Sequence, residues 1–121
     1  MIKLMVCLAR RPDLTPEEFE RHLQDTHLPL VSRLPGLRRL VLNHLLPNHT
    51  DTPPTWDAIA EDWFDSPEAL WIALASVEGQ AVNADASNFL DLAKLNVLVV
   101  EEREVALSTS PRQIELATVE R

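Results

Sequence analysis

Two apolar segments lie near opposite ends of the sequence, IKLMVCLA at 2–9 and LNVLVVEE at 95–102. In a strand, successive side chains point to opposite faces. In both segments, the side chains that would point to either face are mainly apolar. A strand with one face in water alternates apolar and polar residues, so these two strands are expected to be covered on both faces. The chain has 121 residues and 45% hydrophobic content, which suits one globular domain with a real core.

The remaining segments fix the order of elements. Further strands are predicted at 38–46 and 56–64. Helices are predicted at 15–34 and 66–76, the latter capped by Asp65 or Ser66. After Gly79, residues 80–93 are expected to form another helix or irregular helical turns. The order is therefore strand, helix, strand, strand, helix, strand. This order predicts an α+β, ferredoxin-like fold with an antiparallel four-stranded sheet and helices on one face.

The helices of such a fold leave one face of the sheet uncovered. Because the first and last strands are apolar on both faces, a second copy of the chain is expected to cover the open face. The sequence thus predicts a homodimer that forms an α+β barrel. Residues 1–107 form the predicted domain, and 108–121 are interpreted as a C-terminal tail that helps to stabilise the dimer.

The first helix has a well-defined start. Thr15 is a good N-cap, Pro16 suits the first helical position, and Glu18 completes a capping box with Thr15. Leu14 and Phe19 can pack together as a hydrophobic staple.

One histidine lies within the apolar stripe of this helix. At roughly 100° per residue, the stripe contains Phe19, Leu23, His27, Leu30 and Leu34. Pro29 removes a backbone donor and disfavours helix at the preceding residue, so a kink or an early end is expected just after His27. The Pro35-Gly36 turn then leads into the second strand.

Charge and composition exclude several classes of function. The net charge of −8 and the pI near 4.8 disfavour binding to the phosphate backbone of nucleic acids. No apolar run approaches the roughly 18 residues of a membrane span, and no signal peptide is expected before the first strand. The single Cys7 cannot form an internal disulfide, which favours a reducing compartment. We therefore predict a cytoplasmic protein without membrane or nucleic-acid partners.

No cofactor or metal site is predicted. The chain has only two glycines and no glycine-rich loop that would hold a phosphate. His22 and His27 are five residues apart, about 140° around a regular helix, so they are not expected to share one ion.

The chain resembles the EthD family, within the superfamily of dimeric α+β barrels. The resemblance rests on the order of short pieces: Phe19 to His27 with Pro29-Leu30, Leu34 to Arg39, Asn43-His44, Ile59 to Glu61, Trp63 to Asp65, Ser76 to Gly79, Asp85, Asn88-Phe89 and Val99 to Glu102. It covers roughly residues 2 to 105. It implies the ferredoxin-like fold and the dimer that the residues themselves predict.

The resemblance also implies a range of chemistry. Related proteins include methylmuconolactone methylisomerase, which needs no cofactor, and fungal enzymes that resemble dehydratases or cyclases of aromatic polyketides. The chain departs from the family at three places. His22-Leu23 replaces an aromatic pair, Leu40 replaces a tyrosine, and Asp62 replaces an apolar residue, so the pocket is expected to be less aromatic and more charged.

Two histidines are candidate catalytic groups. An imidazole titrates near neutral pH, so His27 facing a cavity can move a proton. The alternative is a core histidine bonded to a carbonyl that Pro29 frees. His44 lies on the second strand with Leu40 and Leu42 on the same side, and the resemblance suggests a role shared with His27. The alternative is a histidine that reaches solvent at the strand end.

Two neighbouring carboxylates interrupt the third strand. Glu61 and Asp62 point to opposite faces, so at most one of them shares a pocket with His27. A carboxylate within a covered strand is costly unless it is paired or protonated, so either is a candidate for acid–base work or for orienting a histidine. The alternatives are an ion pair across the dimer interface for Glu61 and an exposed edge position for Asp62.

The predicted substrate-binding residues are Leu23, Leu40, Trp63, Asp85 and Phe89. Asp85 also has a structural interpretation, as the cap of the helical turn that follows it. These residues favour proton-transfer chemistry, and the resemblance implies its kind: a cofactor-free enzyme that catalyses isomerisation, dehydration or cyclisation of a small apolar cyclic or aromatic compound, in a catabolic or polyketide pathway. The alternative is a non-catalytic accessory protein that binds an intermediate or assists a monooxygenase system.

Overall fold

The computed structural model describes residues 1–46 and 53–108. The strands are β1 (Ile2–Leu8), β2 (Arg39–His44), β3 (Ala58–Phe64) and β4 (Asn96–Glu101), and the helices are α1 (Pro16–His22), α2 (Leu28–Val31), α3 (Pro67–Ala75) and α4 (Val77–Ala86). The predicted tail from 109 onwards lies outside the described residues, as do residues 47–52 of the loop before β3.

The four strands form one antiparallel sheet in the order β2-β3-β1-β4. This confirms the predicted ferredoxin-like α+β fold. The two terminal strands lie side by side, with Leu4 of β1 opposite Asp62 of β3 and Val99 of β4. All three side chains therefore lie on one face of the sheet, since directly paired residues share a face.

The helices cover that face and form the core with it. One cluster surrounds Phe64 and Leu70, and a second surrounds Phe89 and Leu23, all four of which are fully buried. The opposite face carries Lys3, Glu61 and Trp63 together with apolar residues. Strand β4 is open on both faces, and its Val97, Leu98 and Val99 are each about half exposed, at 49%, 45% and 51%.

The start of α1 agrees with the sequence. Thr15 Oγ1 accepts a hydrogen bond from the Glu18 backbone, and the Glu18 carboxylate accepts one from the Thr15 backbone, at 3.1 and 2.9 Å. Leu14 and Phe19 pack in the same cluster, in keeping with the predicted staple. Both ends of the capping box therefore form as predicted.

The distortion caused by Pro29 spans Leu23–His27, whereas a kink or an early end was expected just after His27. Residues Leu23–His27 form a π turn, in which the Leu28 N–H bonds to the Leu23 carbonyl, and α2 then continues to Val31. A regular helix would press the proline ring against the carbonyl four residues earlier, at Asp25. The wider turn inserts an extra residue there, and such turns occur often at functional sites.

The break between the last two helices is at Ser76, not at the predicted Gly79. Ser76 has an extended backbone, ends α3 and caps α4 through a hydrogen bond from the Gly79 N–H. Gly79 serves close packing instead: a Cβ there would lie 2.4 Å from the carbonyl oxygens of Ala73 and Leu74. Helix α4 ends at Ala86, and turns follow at 87–89 and 92–94, so the segment predicted as helix or irregular helical turns contains both.

Candidate active site

Two adjoining cavities lie between the sheet and the helices. The inner cavity, of about 70 Å³, reaches from Leu23 and Val31 to Asp62 on β3. The outer cavity, of about 340 Å³, opens past Gln80 and Asn83 of α4. Six residues line both: Leu4, Val6, Leu8, His27, Leu74 and Val82. The outer cavity is within the size range of small-molecule sites, and the shared walls make the two cavities one continuous space.

His27 is held by a carboxylate that lies behind it. Its Nδ1 is 2.9 Å from Oδ2 of Asp85, in the last turn of α4, and both residues are 7% exposed. An ionised carboxylate only accepts hydrogen bonds, so Nδ1 carries the proton. Because the His27 ring lines both cavities, Nε2, with its lone pair, is the nitrogen available to a ligand.

Asp85 also receives hydrogen bonds from two other side chains. His22 Nε2 lies 2.9 Å from both carboxylate oxygens, and Asn88 Nδ2 donates to Oδ1 at 3.0 Å. The Phe89 ring packs against both imidazoles, with centroids 4.7 Å away in each case. These contacts hold the carboxylate and the two rings in place, as a positioned catalytic group requires.

The protonation states follow from burial and hydrogen bonding. Burial lowers the pKa of His27, and the Asp85 carboxylate offsets this only in part, so the imidazole is neutral near pH 7. Burial alone would raise the pKa of Asp85, but hydrogen bonds from Asn88, His22 and His27 outweigh it and hold that pKa below its ordinary value. The pair is thus a neutral base oriented by an anion.

Asp62 is the second titratable group of the cavity. It is 4% exposed, and its Oδ1 has no hydrogen-bond partner among the described residues. Burial raises the pKa of Asp62 to about 7. A protonated Asp62 would be an O–H donor that faces the same inner cavity as His27.

Two predicted site residues lie on the other face of the sheet. Glu61 pairs with Lys3 at 3.4 Å, and the Trp63 ring packs under Lys3 while its Nε1 donates to Glu102 at 3.3 Å. Since side chains alternate along β3, placing Asp62 in the cavity places Glu61 and Trp63 away from it. The prediction that Glu61 and Trp63 belong to the site of His27 is therefore wrong for a single protomer, in which both lie on the opposite face of the sheet.

The other predicted residues divide between the wall and the surroundings. Leu23 lines the inner cavity. Leu40 packs in the core beside β3, and Phe89 lies behind the histidines, so neither lines the two cavities. The His44 side chain is 53% exposed and binds Glu20 at 3.1 Å, which matches its alternative interpretation as a strand-end histidine.

Sequence reasoning missed His22 and Asn88 and misjudged Asp85. A regular helix places His22 about 140° from His27, but the wider π turn brings residues five apart closer together. The sequence feature that pointed to this arrangement was Pro29. It predicted an irregular helix but did not show that the irregularity would be a π turn. Asp85 lies at the end of α4 and binds side chains of the first helix, so it is not the N-cap that its neighbours suggested.

Replacing Asp85 with asparagine is expected to release the tautomer of His27. An amide can donate as well as accept, so it no longer requires the proton to be on Nδ1. In ¹⁵N spectra at pH 8, the wild type should show Nδ1 protonated and Nε2 free, and the variant a mixture. The exposed Asp25→Asn variant is the control and should match the wild type. An unchanged tautomer in Asp85→Asn would contradict the role of this carboxylate.

Membrane spans and metal clusters are both absent from the described part of the chain. In residues 1–46 and 53–108, no helix is long and apolar enough to cross a membrane. Within the same ranges, no group of three histidine, cysteine, aspartate or glutamate side chains is arranged to hold a metal ion. The cytoplasmic location stays a prediction.

Comparison with known proteins agrees with this architecture. The EthD domain family matches residues 11–93, which include all of the α1–α4 region and the His27–Asp85 pair. The chain belongs to the EthD family. An uncharacterised 11.0 kDa protein, from the thcB–thcC intergenic region of Rhodococcus erythropolis, is 34% identical over 74 residues, 61% of this chain and 71% of the relative.

Solved structures show the same fold. An EthD family protein from Bacillus halodurans C-125 is 27% identical, with a TM-score of 0.73 over 85% of this chain and all of its own. A dimeric protein of unknown function with a ferredoxin-like fold, from Bacteroides fragilis, is 14% identical, with a TM-score of 0.62 over 84% of this chain and 95% of its own. The second likeness concerns the fold alone.

Proposed function

We propose that this EthD-family chain is a cofactor-free enzyme that transfers protons within a small, mostly apolar cyclic or aromatic compound. The observation that carries the proposal is the buried Asp62, unpartnered at Oδ1 among the described residues, in the same cavity as the His27–Asp85 pair. Core carboxyl groups without partners are costly, and strongly shifted titratable groups in clefts are concentrated at functional sites. A protein that only binds an apolar compound, without catalysis, would need only the leucine and valine walls of this cavity.

The proposed reaction uses the two groups as a complementary acid and base. His27 Nε2 takes a proton from carbon next to a carbonyl, and the C–H electrons form a C=C bond. The carbonyl oxygen takes a proton from Asp62 as its π electrons move onto it, which gives an enol. Where a ring C=C is conjugated with this enol, Asp62 takes back the enol proton, the C=O bond re-forms, and the displaced π electrons take the proton held by His27 at the far carbon of the conjugated system. The ring double bond has then moved, so the product is an isomer and both groups are restored. Loss of a β-hydroxyl as water would give dehydration instead.

Exchange of hydrogen for deuterium tests this proposal without knowledge of the natural substrate. A panel of small cyclic ketones and lactones is incubated with the protein in D₂O, and loss of the α-proton signal is followed by NMR. We expect at least one member to exchange faster than in buffer alone. A protein that binds members of the panel but accelerates exchange in none would favour the accessory binding function instead.

We propose further that the chain acts as a homodimer. Val97, Leu98 and Val99 form an apolar, half-exposed stretch on β4, an edge strand of the sheet, and the Bacteroides fragilis protein of the same fold is dimeric. A second copy would remove this apolar surface from water. Val97 lies on the helix face with Val6 and lines the outer cavity, so a partner would help to enclose the site only if it also covered the β4 edge.

Introducing a charge on β4 tests the dimer. Leu98→Lys is expected to shift the protein from dimer to monomer in light scattering at micromolar concentration, because a lysine would have to be buried without a partner. Ile72→Lys, which changes an exposed apolar residue of α3, is the matched control and should remain dimeric. A monomeric wild type would contradict the proposal.

A further inference from the structure

The described walls of the cavity hold no positive charge. Among residues 1–46 and 53–108, no lysine or arginine lines the inner or the outer cavity. Apart from His27 and Asp62, the polar side chains of these walls are the uncharged amides of Gln80 and Asn83 at the opening. A carboxylate or phosphate on a bound molecule would therefore meet no cation in these walls with which to pair.

The charges near the inner end oppose an anion. The Asp85 carboxylate lies directly behind His27, and Asp62, which faces the inner cavity, adds a second negative charge whenever it is ionised. The net charge of the chain, −8, adds a repulsive field at longer range. Moving an anion from water into such a site loses its hydration without a compensating ion pair.

We propose that the site selects uncharged ring compounds that carry a carbonyl oxygen, and that it rejects their carboxylate and phosphate counterparts. This inference rests on the proposed function, since the carbonyl oxygen is the atom that Asp62 would protonate and His27 would act on the neighbouring carbon. The inference goes further by specifying that the bound compound is uncharged, which the proposed reaction does not require. The amides at the opening fit a hydroxyl or a second carbonyl on the trailing end of that compound.

A pair of probes of nearly equal shape tests the selection. Binding of 2-acetylnaphthalene and of 2-naphthoate is measured at pH 7 by changes in the backbone amide signals of the wild-type protein. We expect the ketone to bind at least about 100-fold more tightly than the carboxylate, because the naphthoate charge would be buried unpaired. Failure of the ketone to bind, or binding of naphthoate within about threefold of it, overturns the inference.

Two arginine variants separate local charge from net charge. Asn83 and Ala84 are both exposed on α4, but only Asn83 lines the outer cavity. Asn83→Arg is expected to tighten naphthoate binding at least about tenfold, whereas Ala84→Arg, with the same net charge, should leave it unchanged. Equal effects of the two variants would overturn the inference.

These measurements do not depend on turnover. Charge selection without any exchange activity would leave the inference standing and contradict the proposed reaction. Exchange activity together with equal binding of both probes would support the proposed reaction and overturn the inference about charge selection.

Discussion

Replacing His27 with glutamine is expected to lower the rate of proton exchange by about 10²–10⁴-fold, the usual loss when a positioned general base is removed. Glutamine keeps an amide near the Asp85 carboxylate but has no nitrogen that can take a proton at neutral pH. The loss should appear in kcat, because the affected step is the proton transfer and the apolar walls that hold the substrate remain.

The control for this variant is another histidine on the same side of the sheet. His44 is exposed and bound to Glu20, and it lines neither cavity. His44→Gln should keep the wild-type exchange rate within about twofold. An undiminished rate in His27→Gln, or equal losses in the two variants, would contradict the role of His27.

Replacing Asp62 with asparagine is expected to change how stability depends on pH. The pKa of Asp62 is about 7 in the folded chain, against an ordinary value of 3.8 that applies to the unfolded chain. The contribution of Asp62 to the free energy of unfolding is therefore fully present only at pH values below 3.8. That contribution is lost as pH rises from there through the folded pKa, because the unfolded chain releases the proton more readily. Between pH 5 and pH 8 the loss is roughly 2–3 kcal/mol at 1.36 kcal/mol per pKa unit.

Urea unfolding at the two pH values measures this effect. The asparagine side chain cannot ionise, so Asp62→Asn should gain roughly 2–3 kcal/mol on the wild type as pH rises from 5 to 8. The exposed Asp25→Asn variant should follow the wild type at both pH values. A parallel pH dependence for Asp62→Asn and the wild type would show that Asp62 ionises as freely when folded as when unfolded.

The sequence predicts the fold well because local and global signals agree. The capping box at Thr15, the cap at Ser66 and the four apolar strands all form, and their order favours the ferredoxin-like topology. The break assigned to Gly79 was wrong because a serine cap ends one helix and starts the next, and the glycine is needed for close packing instead.

The site is harder to predict because it depends on strand register and on the type of helical distortion. The sequence shows that Glu61 and Asp62 face opposite sides, but only the pairing of β3 with its neighbours shows that Asp62 faces the helices. Likewise Pro29 predicts an irregular turn, but only the π turn explains why His22 and His27 converge on Asp85. A long-range contact between the first helix and α4 has no local signal in either segment.

A protonated carboxyl and a neutral imidazole facing one cavity near neutral pH are what the proposed chemistry requires. The most direct test is the pH titration of the Asp62 side-chain carbon by ¹³C NMR, assigned with the Asp62→Asn variant. We expect a midpoint near pH 7 for Asp62, with Asp85 ionised throughout that range. A midpoint for Asp62 below about pH 5 would contradict the account, since the cavity would then hold a second anion and no acid.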